Sequence, residues 1–295
     1  MADITPGASR RRKQRTSIII AAIVAVIVVV AGVFVVRSLS GGAGAPTASA
    51  STNTGKDAAL ADDPAVKKLN GTISFGTEGT YSPFSYHDQS TGELTGYDIE
   101  VAKAVTAKLG VKAKFVETQY DGIFAGLESS HYDGIANQVQ ITPEREQKYE
   151  LTKTYAVSYP VVITRADETG ISGIDDIKGR SAAQTEGSNW RQIAEEHGAK
   201  VQTVPGFSES VAAIEQKRVD LTVNDKLAAK DYLKTTGNAN IRIAATDTAT
   251  KLEQGFAFRK GSGLAEPVNK AIDALRADGT LAKLGEKYFG EDISK

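Results

Sequence analysis

Residues 72–116 read TISFGTEGTYSPFSYHDQSTGELTGYDIEVAKAVTAKLGVKAKFV, and this stretch decides the fold. At its start Ile73 and Phe75 alternate with small polar residues, as in a half-buried strand. Apolar residues then recur at helical spacing over residues 99–109, which predicts one buried helix face. A second strand is expected at residues 114–116. The order strand, helix, strand favours a parallel sheet.

The same alternation of strands and helices continues to the C-terminus. Residues 123–127 predict a helix and residues 133–136 a short buried strand. Two amphipathic helices are expected near residues 268–275 and 281–288. Two α/β units predict two lobes, and ligands of such folds lie beyond the carboxyl ends of the strands. The second unit is expected to contain strands at 161–163, 181–183, 201–204 and 221–223, with helices at 190–196 and 211–217.

The composition of the chain argues against several kinds of chemistry. Its 295 residues include no cysteine, and a formal net charge of -1 gives no bias toward nucleic acid. The sequence has no phosphate-binding loop, dinucleotide fingerprint or nucleophile elbow. Its three histidines lack the spacing of a zinc site. We therefore expect no enzymatic centre, no cofactor and no metal.

The N-terminal part has the pattern of a membrane segment. Residues 1–17 hold five basic side chains and one acid, and residues 18–36 carry no charged or polar side chain. Such a helix spans roughly 28 Å, close to the bilayer core, and the basic stub should stay cytoplasmic. Residues 37–66, rich in Ser, Gly, Ala and Thr, predict a flexible linker. Cleavage near residues 43–45, which would release a secreted body, is the open alternative.

Six segments of the body form an ordered series of motifs. They are GTEGTYSPFS at 76–85, GELTGYDIEVA at 92–102, YDGIFAGL at 120–127, ANQVQITPER at 136–145, RVDLTVND at 218–225 and LRADGT at 275–280. In this order and spacing the chain resembles bacterial solute-binding protein family 3, the polar amino-acid binding proteins of ABC transporters. The resemblance spans roughly residues 69–290.

The resemblance implies an α/β fold of the type II periplasmic-binding-protein-like class. Its two lobes are joined by a hinge of two crossings. Lobe 1 is expected to contain residues 67–159 and 250–295, and lobe 2 residues 160–249. The implied function is that of an extracytoplasmic substrate-binding subunit, which delivers its ligand to an ABC permease driven by an ATPase. We expect a monomer on the outer face of the cell membrane, held there by the N-terminal helix.

A free amino acid carries a carboxylate and an ammonium, and each needs a partner in a dry crevice. In the matching family motif the guanidinium of Arg145 takes the carboxylate, a role that suits its bidentate geometry. Asp225 occupies the position that takes the ammonium. Without the resemblance, Arg145 fits a surface turn and Asp225 fits the N-cap of a helix.

The resemblance places further residues around the ligand. Tyr81 and Phe84 stand where the family sets aromatic rings over the ligand, although Phe84 after Pro83 fits the core equally well. Ser188 and the backbone of Gly187, at the start of a helix, match a carboxylate-binding position. The remaining expected contacts are Tyr120, Asn137, Gln138 and Val139.

The identity of the ligand is predicted from a few variable positions. Residues 137–139, with 77–81 and 116–118, look most like the cystine-binding branch of the family. Glu78 stands where binders of basic amino acids often carry an acid, so lysine, arginine, histidine and other polar amino acids stay open. Two other functions also stay open. One is an enzyme on the same fold, such as a cyclohexadienyl or prephenate-type dehydratase, and the other is a ligand-sensing receptor module.

Overall fold

The structure, a computed structural model, describes residues 60–295. The expected cytoplasmic stub, the expected membrane segment at 18–36 and most of the linker therefore lie outside the described residues. Within residues 60–295 every helix is too short or too polar to cross a bilayer. Helix α1 (Pro64–Lys67) is capped by Asp63, whose carboxylate accepts a hydrogen bond from the backbone amide of Ala65.

The first sheet has the predicted parallel centre, in which β1 pairs with β5 on one side and β6 on the other. Strands β2, β3 and β4 form a separate small antiparallel sheet. The elements of this part are β1 (Thr72–Thr77), β2 (Thr80–Tyr81), β3 (Ser85–His87), β4 (Leu94–Thr95), α2 (Tyr97–Lys108), β5 (Lys112–Glu117), α3 (Tyr120–Glu128), β6 (Gly134–Gln140), α4 (Pro143–Lys148), β7 (Tyr149–Leu151) and β8 (Ala156–Ser158).

The second sheet has the order β11-β10-β12-β9-β13. Its strands β11, β10 and β12 are parallel, whereas β9 runs antiparallel to both of its neighbours. The elements are β9 (Pro160–Arg165), a 3-10 helix (Ile174–Ile177), β10 (Ser181–Thr185), α5 (Asn189–Glu196), β11 (Lys200–Val204), α6 (Phe207–Glu215), β12 (Leu221–Asp225), α7 (Lys226–Thr236) and β13 (Ile241–Thr246).

The chain then returns to the first sheet through β14 (Leu252–Arg259), which pairs antiparallel with β6, β7 and β8. Helices α8 (Ala265–Ala277) and α9 (Thr280–Phe289) follow and pack against α2. The part built on the first sheet is lobe 1, and the part built on the second sheet is lobe 2. The chain crosses between them twice, and on the lobe 1 side the two crossing strands are paired, Leu252 opposite Ser158.

The predicted helix over residues 99–109 is confirmed as α2, whose residues Ile99 and Val105 are fully buried. The two sheets are mixed, however, and not largely parallel as the sequence suggested. Among the antiparallel strands that the sequence did not predict, β7 and β8 contain three residues each, and β14 is buried at most of its positions. Neither a very short strand nor a strand buried on both faces produces the alternating pattern.

Gly96 joins the small sheet to α2 in a conformation that favours glycine. Its φ is 126°, and a Cβ built there would lie 2.3 Å from the carbonyl oxygen of Phe84. We expect Gly96→Ala to lower the free energy of unfolding by at least about 3 kcal/mol, because backbone would collide with backbone. Urea unfolding of the variant and the parent chain measures the difference.

Gly92→Ala is the matched control. Gly92 also has a positive φ, 72°, but nothing lies within 4 Å of its added Cβ. This variant should lose only about 1 kcal/mol, the cost of the left-handed backbone conformation. Equal losses in the two variants would show that the collision with Phe84 has no energetic consequence.

Candidate functional site

A small cavity lies between lobe 1 and lobe 2 and has a volume of about 40 Å³. Both lobes contribute to its wall, and most of the lining side chains are polar. Lobe 1 contributes Glu78, Tyr81, Tyr120, Asn137 and Gln138. Lobe 2 contributes Thr185, Ser188, Asn189, Trp190, Phe207 and Asn224. The cavity therefore brings together six of the residues that the sequence predicted as ligand contacts.

Direct contacts between the lobes explain the small volume. The Tyr81 hydroxyl donates a hydrogen bond to Asn224 Oδ1 at 2.9 Å, and its ring meets Phe207 edge-on at 6.5 Å. The Ser82 hydroxyl donates to Asp231 Oδ2 at 2.8 Å. A water molecule occupies about 30 Å³ of liquid, so the cavity has room for little more than one. An amino acid can enter only if the lobes separate or these contacts rearrange.

Five lining residues were missed by the sequence prediction, although their positions follow a general rule. Thr185 ends β10, and Asn189 and Trp190 begin α5. Phe207 begins α6, and Asn224 lies at the end of β12. Each is therefore close to the carboxyl end of a strand in the parallel part of the sheet, where ligands of α/β folds bind.

Two lining side chains are buried and have a polar atom without a hydrogen-bond partner among residues 60–295. These atoms are the acceptor Oε1 of Gln138 and the donor Nδ2 of Asn189. Gln138 is 8% exposed and Asn189 is 7% exposed. An unpaired buried polar atom is destabilising, so a ligand that supplies both a donor and an acceptor would be bound favourably here.

Glu78 places a carboxyl group on the cavity wall. Its Oε2 accepts a hydrogen bond from Asn137 Nδ2 at 2.7 Å, and its backbone amide donates to Asn137 Oδ1 at 2.9 Å. Burial raises the pKa of Glu78 to about 7, the hydrogen bond from Asn137 lowers it, and the nearby charges of Glu209 and Asp121 raise it. A cation that enters the cavity would favour the ionised form of this group.

Asp225 caps α7 and is not a lining residue. Its Oδ1 accepts hydrogen bonds from the backbone amides of Leu227 at 2.7 Å and Ala228 at 3.3 Å, and from the Ser158 hydroxyl at 2.8 Å. Its Oδ2 is buried and has no hydrogen-bond partner in the described part of the chain. Burial raises the pKa of Asp225 to about 6. The capping geometry therefore leaves one carboxylate oxygen able to accept a further donor.

Arg145 lies one side chain away from the cavity. Its guanidinium donates to the carbonyl oxygen of Gln140 and to the Tyr120 hydroxyl, both at 3.1 Å. It also lies over the ring of Phe124, 5.2 Å from the centroid. The guanidinium thus reaches the cavity wall through Tyr120 and does not line it.

Three further predicted residues do not line the cavity. Phe84 is fully buried in the core of lobe 1, with its ring 5.3 Å from that of Tyr81. Val139 is fully buried in a hydrophobic cluster. Gly187, with φ 72°, precedes Ser188, whose hydroxyl caps α5 by accepting from the Arg191 amide at 3.1 Å. In this structure Phe84 and Val139 contribute to packing and not to the cavity wall.

A larger cavity of about 580 Å³ lies beside the first one and shares Phe207 with it. It is also lined from both lobes, and its wall carries the carboxylates of Asp121, Glu186 and Glu209. Arg191 pairs with Glu186 at 2.7 Å. We call the small cavity the inner cavity and the larger one the outer cavity. The outer cavity is acidic and wide enough for a polar, cationic part of a ligand.

Comparison with known proteins agrees with these features. The sequence profile of the bacterial extracellular solute-binding proteins, family 3, matches residues 73–291. The L-cystine-binding protein TcyA of Bacillus subtilis is 48% identical over 229 residues, which are 77% of this chain and 85% of TcyA. A probable amino-acid ABC transporter-binding protein of Haemophilus influenzae is 43% identical over 225 residues, 76% of this chain and 87% of that protein. The resemblance to the cystine-binding branch is confirmed.

Solved structures confirm the two-lobe α/β fold of the type II class. An ancestral arginine-binding protein bound to arginine is 34% identical with a TM-score of 0.70, and the alignment covers 75% of this chain and 100% of the other. The L-cystine solute receptor of Neisseria gonorrhoeae, unliganded and open, is 43% identical with a TM-score of 0.55, covering 79% and 100%. The Neisseria gonorrhoeae receptor is thus the more similar of the two in sequence and has the lower TM-score.

Glu78 gives the site a pH dependence that can be measured. Its ordinary pKa of 4.5 is raised to about 7 in the folded chain. Its contribution to stability is therefore full below pH 4.5 and is lost as the pH rises through 7, because the folded chain binds the proton more tightly. The neutral variant Glu78→Gln should gain about 3 kcal/mol of unfolding free energy over the parent chain between low and high pH.

The measurement is urea unfolding of both proteins between pH 4 and pH 8.5. This range extends about half a pH unit or more beyond the ordinary and the raised pKa of Glu78. Asp98 and Asp225, whose pKa values are also raised by burial, titrate in both proteins. The difference between the two curves therefore isolates Glu78. Parallel curves over the whole range would contradict the raised pKa.

Proposed function

The chain belongs to the bacterial extracellular solute-binding proteins, family 3, and from this premise we propose that it is the substrate-binding subunit of an amino-acid ABC importer with cystine as its ligand. The observation that carries the proposal is the enclosed polar cavity between the lobes, where Gln138 Oε1 and Asn189 Nδ2 lack partners in the described residues. The names of TcyA and of the Haemophilus influenzae relative support an amino acid, and that of TcyA supports cystine.

The proposed cycle is capture, closure and delivery. Ligand enters between separated lobes, bridges them, and favours the closed state by the contacts that it makes only there. The closed form then docks on a permease, which an ATPase drives. The hydrogen bonds from Tyr81 to Asn224 and from Ser82 to Asp231 support this cycle, because each of them joins lobe 1 to lobe 2.

We assign the ligand carboxylate to Arg145, together with Ser188 and the amides at the start of α5. The guanidinium would exchange its bond to the Gln140 carbonyl for the carboxylate, a stronger charge-assisted partner. The ligand ammonium is assigned to Asp225, whose Oδ2 has no hydrogen-bond partner within residues 60–295, with Glu78 nearby on the wall. Each charge of the zwitterion then meets an opposite charge.

The outer cavity supports a ligand longer than one simple amino acid. Cystine consists of two amino-acid halves, so one half would occupy the inner cavity and the second ammonium would face Asp121 and Glu209. The same acidity also suits the side chain of arginine or lysine, and an arginine-bound neighbour supports that alternative. We favour cystine because TcyA is 48% identical to this chain.

The remaining parts of the proposal concern the organisation of the whole chain. We propose that residues 18–36 anchor it, as a monomer, on the outer face of the membrane, with secretion after cleavage as the alternative. We propose lobe 1 at 67–159 and 250–295 and lobe 2 at 160–249. The two chain crossings, between β8 and β9 and between β13 and β14, support these boundaries.

Two other functions have less support. The relatives reported above are named as binding proteins and not as enzymes, so a cyclohexadienyl or prephenate-type dehydratase is the weaker alternative. A ligand-sensing receptor module is the weaker alternative for the same reason, because these relatives are named as binding proteins.

The chain contains one tryptophan, Trp190, and this residue lines the inner cavity. Its fluorescence is therefore a direct reporter of ligand entry. The full chain, purified in detergent, is titrated with cystine, S-methylcysteine, arginine and glutamine. The expected result is a saturable change in fluorescence at micromolar cystine, which corresponds to a binding free energy of about -8.2 kcal/mol. No response to any amino acid would contradict the proposed function.

Arg145→Ala tests the assignment of the ligand carboxylate. Loss of one partner of an enclosed charge pair typically costs about 2–5 kcal/mol, so the affinity for cystine should fall about 30-fold or more. Isothermal titration calorimetry measures the affinity. Arg180→Ala is the control, because Arg180 pairs with Glu168 in lobe 2 and lines neither cavity. An unchanged affinity in the Arg145 variant would remove this residue from the site.

Glu209→Gln tests the role of the outer cavity. We expect the affinity of this variant for cystine to fall about threefold, which is the energetic effect of losing an exposed ion pair. Its affinity for S-methylcysteine, which has no second half, should stay constant. Glu266→Gln is the control, because Glu266 pairs with Lys270 on α8, away from both cavities. Equal losses for the two ligands would place the second half of cystine elsewhere.

A further inference from the structure

Asp98 is a fully buried carboxylate in the first turn of α2. Its Oδ2 accepts a hydrogen bond from the backbone amide of Gln138 at 2.7 Å, and its Oδ1 accepts one from Gln138 Nε2 at 2.6 Å. The Tyr155 hydroxyl donates to Oδ1 at 3.0 Å. One carboxylate therefore holds both the backbone and the side chain of Gln138, a residue of the inner cavity.

The backbone of Gln138 is in an uncommon conformation. Its φ is 48°, in the left-handed region that residues other than glycine adopt at a cost. The hydrogen bond from its amide to Asp98 supports that conformation. Because Glu78 bonds to Asn137, the neighbour of Gln138, the backbone conformation also affects the arrangement of the cavity wall.

The side chain of Gln138 has two chemically different ends, and Asp98 determines which end is free. The amide nitrogen is bonded to the carboxylate, so the oxygen Oε1 is left without a partner among the described residues. If the amide were reversed, Oε1 would face Asp98 Oδ1, and two acceptors cannot form a hydrogen bond. The energetic cost of such a buried mismatch excludes the reversed orientation.

We propose that Asp98 is a positioning residue that makes Gln138 present an acceptor to the inner cavity, and so selects ligands with a donor, such as an ammonium, at that point. Asp98 does not line the cavity and acts through Gln138. This inference rests on the proposed function, because it takes the ligand to be an amino acid. It adds a specificity determinant in the core of lobe 1, behind the cavity wall.

The test measures selectivity as well as affinity. Asp98→Asn keeps the shape of the side chain, but the new amide can accept or donate and so tolerates either end of Gln138. The two ligands are L-cystine and 3,3′-dithiodipropionate, which is cystine without its ammonium groups. Trp190 fluorescence of the full chain reports both affinities at a pH near 8, which is above the raised pKa of Asp98, about 7, so that this carboxylate is ionised in the parent chain.

We expect Asp98→Asn to lower the affinity for cystine about tenfold and to reduce the preference for cystine over the analogue by a similar factor. Gln138→Leu should cause the same loss, because it removes the acceptor. In the Gln138→Leu background, Asp98→Asn should change the affinity by less than about twofold, since the two residues act as one unit.

Tyr155→Phe is the matched control. It removes a hydrogen bond to Asp98 from a residue that does not line the cavity. The variant should melt at a lower temperature and keep the ligand preference of the parent chain, which distinguishes positioning from general stabilisation of the core. A loss of preference in Tyr155→Phe equal to that of Asp98→Asn would overturn the proposal.

Three other results would also overturn it. They are an unchanged preference in Asp98→Asn, an unchanged preference in Gln138→Leu, and a tenfold effect of Asp98→Asn that persists without Gln138. If Asp98→Asn does not fold, an unchanged preference in Gln138→Leu still overturns the proposal, because it would show that the acceptor of Gln138 has no effect on the ligand. If the parent chain binds no amino acid, the proposed function itself is contradicted. If the parent chain binds cystine but the variants give one of the contrary results above, only the role of Asp98 is contradicted.

Discussion

A polar atom enclosed between two lobes must find a hydrogen-bond partner, and the rest of this structure depends on that constraint. Gln138 Oε1 and Asn189 Nδ2, on side chains of the inner cavity wall, are buried without a hydrogen-bond partner among residues 60–295, and so is Asp225 Oδ2 at the start of α7. Unpaired buried polar atoms are destabilising, so a ligand that pairs with them would stabilise this arrangement of the lobes. The missing groups are donors for two of these atoms and an acceptor for the third, which is the chemistry of a zwitterion.

The lobe–lobe contacts determine how much of the binding energy appears as affinity. A ligand shifts the balance between open and closed states only by its differential interaction with the two. The hydrogen bond from Ser82 to Asp231 stabilises the closed state without any ligand and so raises the apparent affinity. The hydrogen bond from Tyr81 to Asn224 joins two residues of the inner cavity wall. A ligand that breaks this bond must offset its loss with contacts of its own. The two contacts therefore act in opposite directions.

Much of the fold could be predicted from local patterns, because the buried face of α2 and the parallel strands have clear periodicities. The lobe contacts could not, because they join residues far apart in sequence. The motif residues that line the cavity, such as Glu78 and Gln138, were identified by resemblance and not by periodicity. Phe84 was ambiguous for a physical reason: an apolar ring after a turn fits a core and a ligand pocket equally well. Asn189 was missed because a polar residue at a helix start is common whether or not a ligand is present.

The binding role that we propose for Asp225 is compatible with its structural role as the cap of α7. Capping α7 uses Oδ1, which also accepts from the Ser158 hydroxyl, and Oδ2 is left for another donor. Ser158 ends β8, directly before the first chain crossing, and the amide of Lys226 donates to the carbonyl oxygen of Tyr159 within that crossing. The start of α7 is therefore bonded to the hinge on two sides. If the lobes rotate about the chain crossings, an ammonium bound at Oδ2 would act on residues bonded to the first crossing.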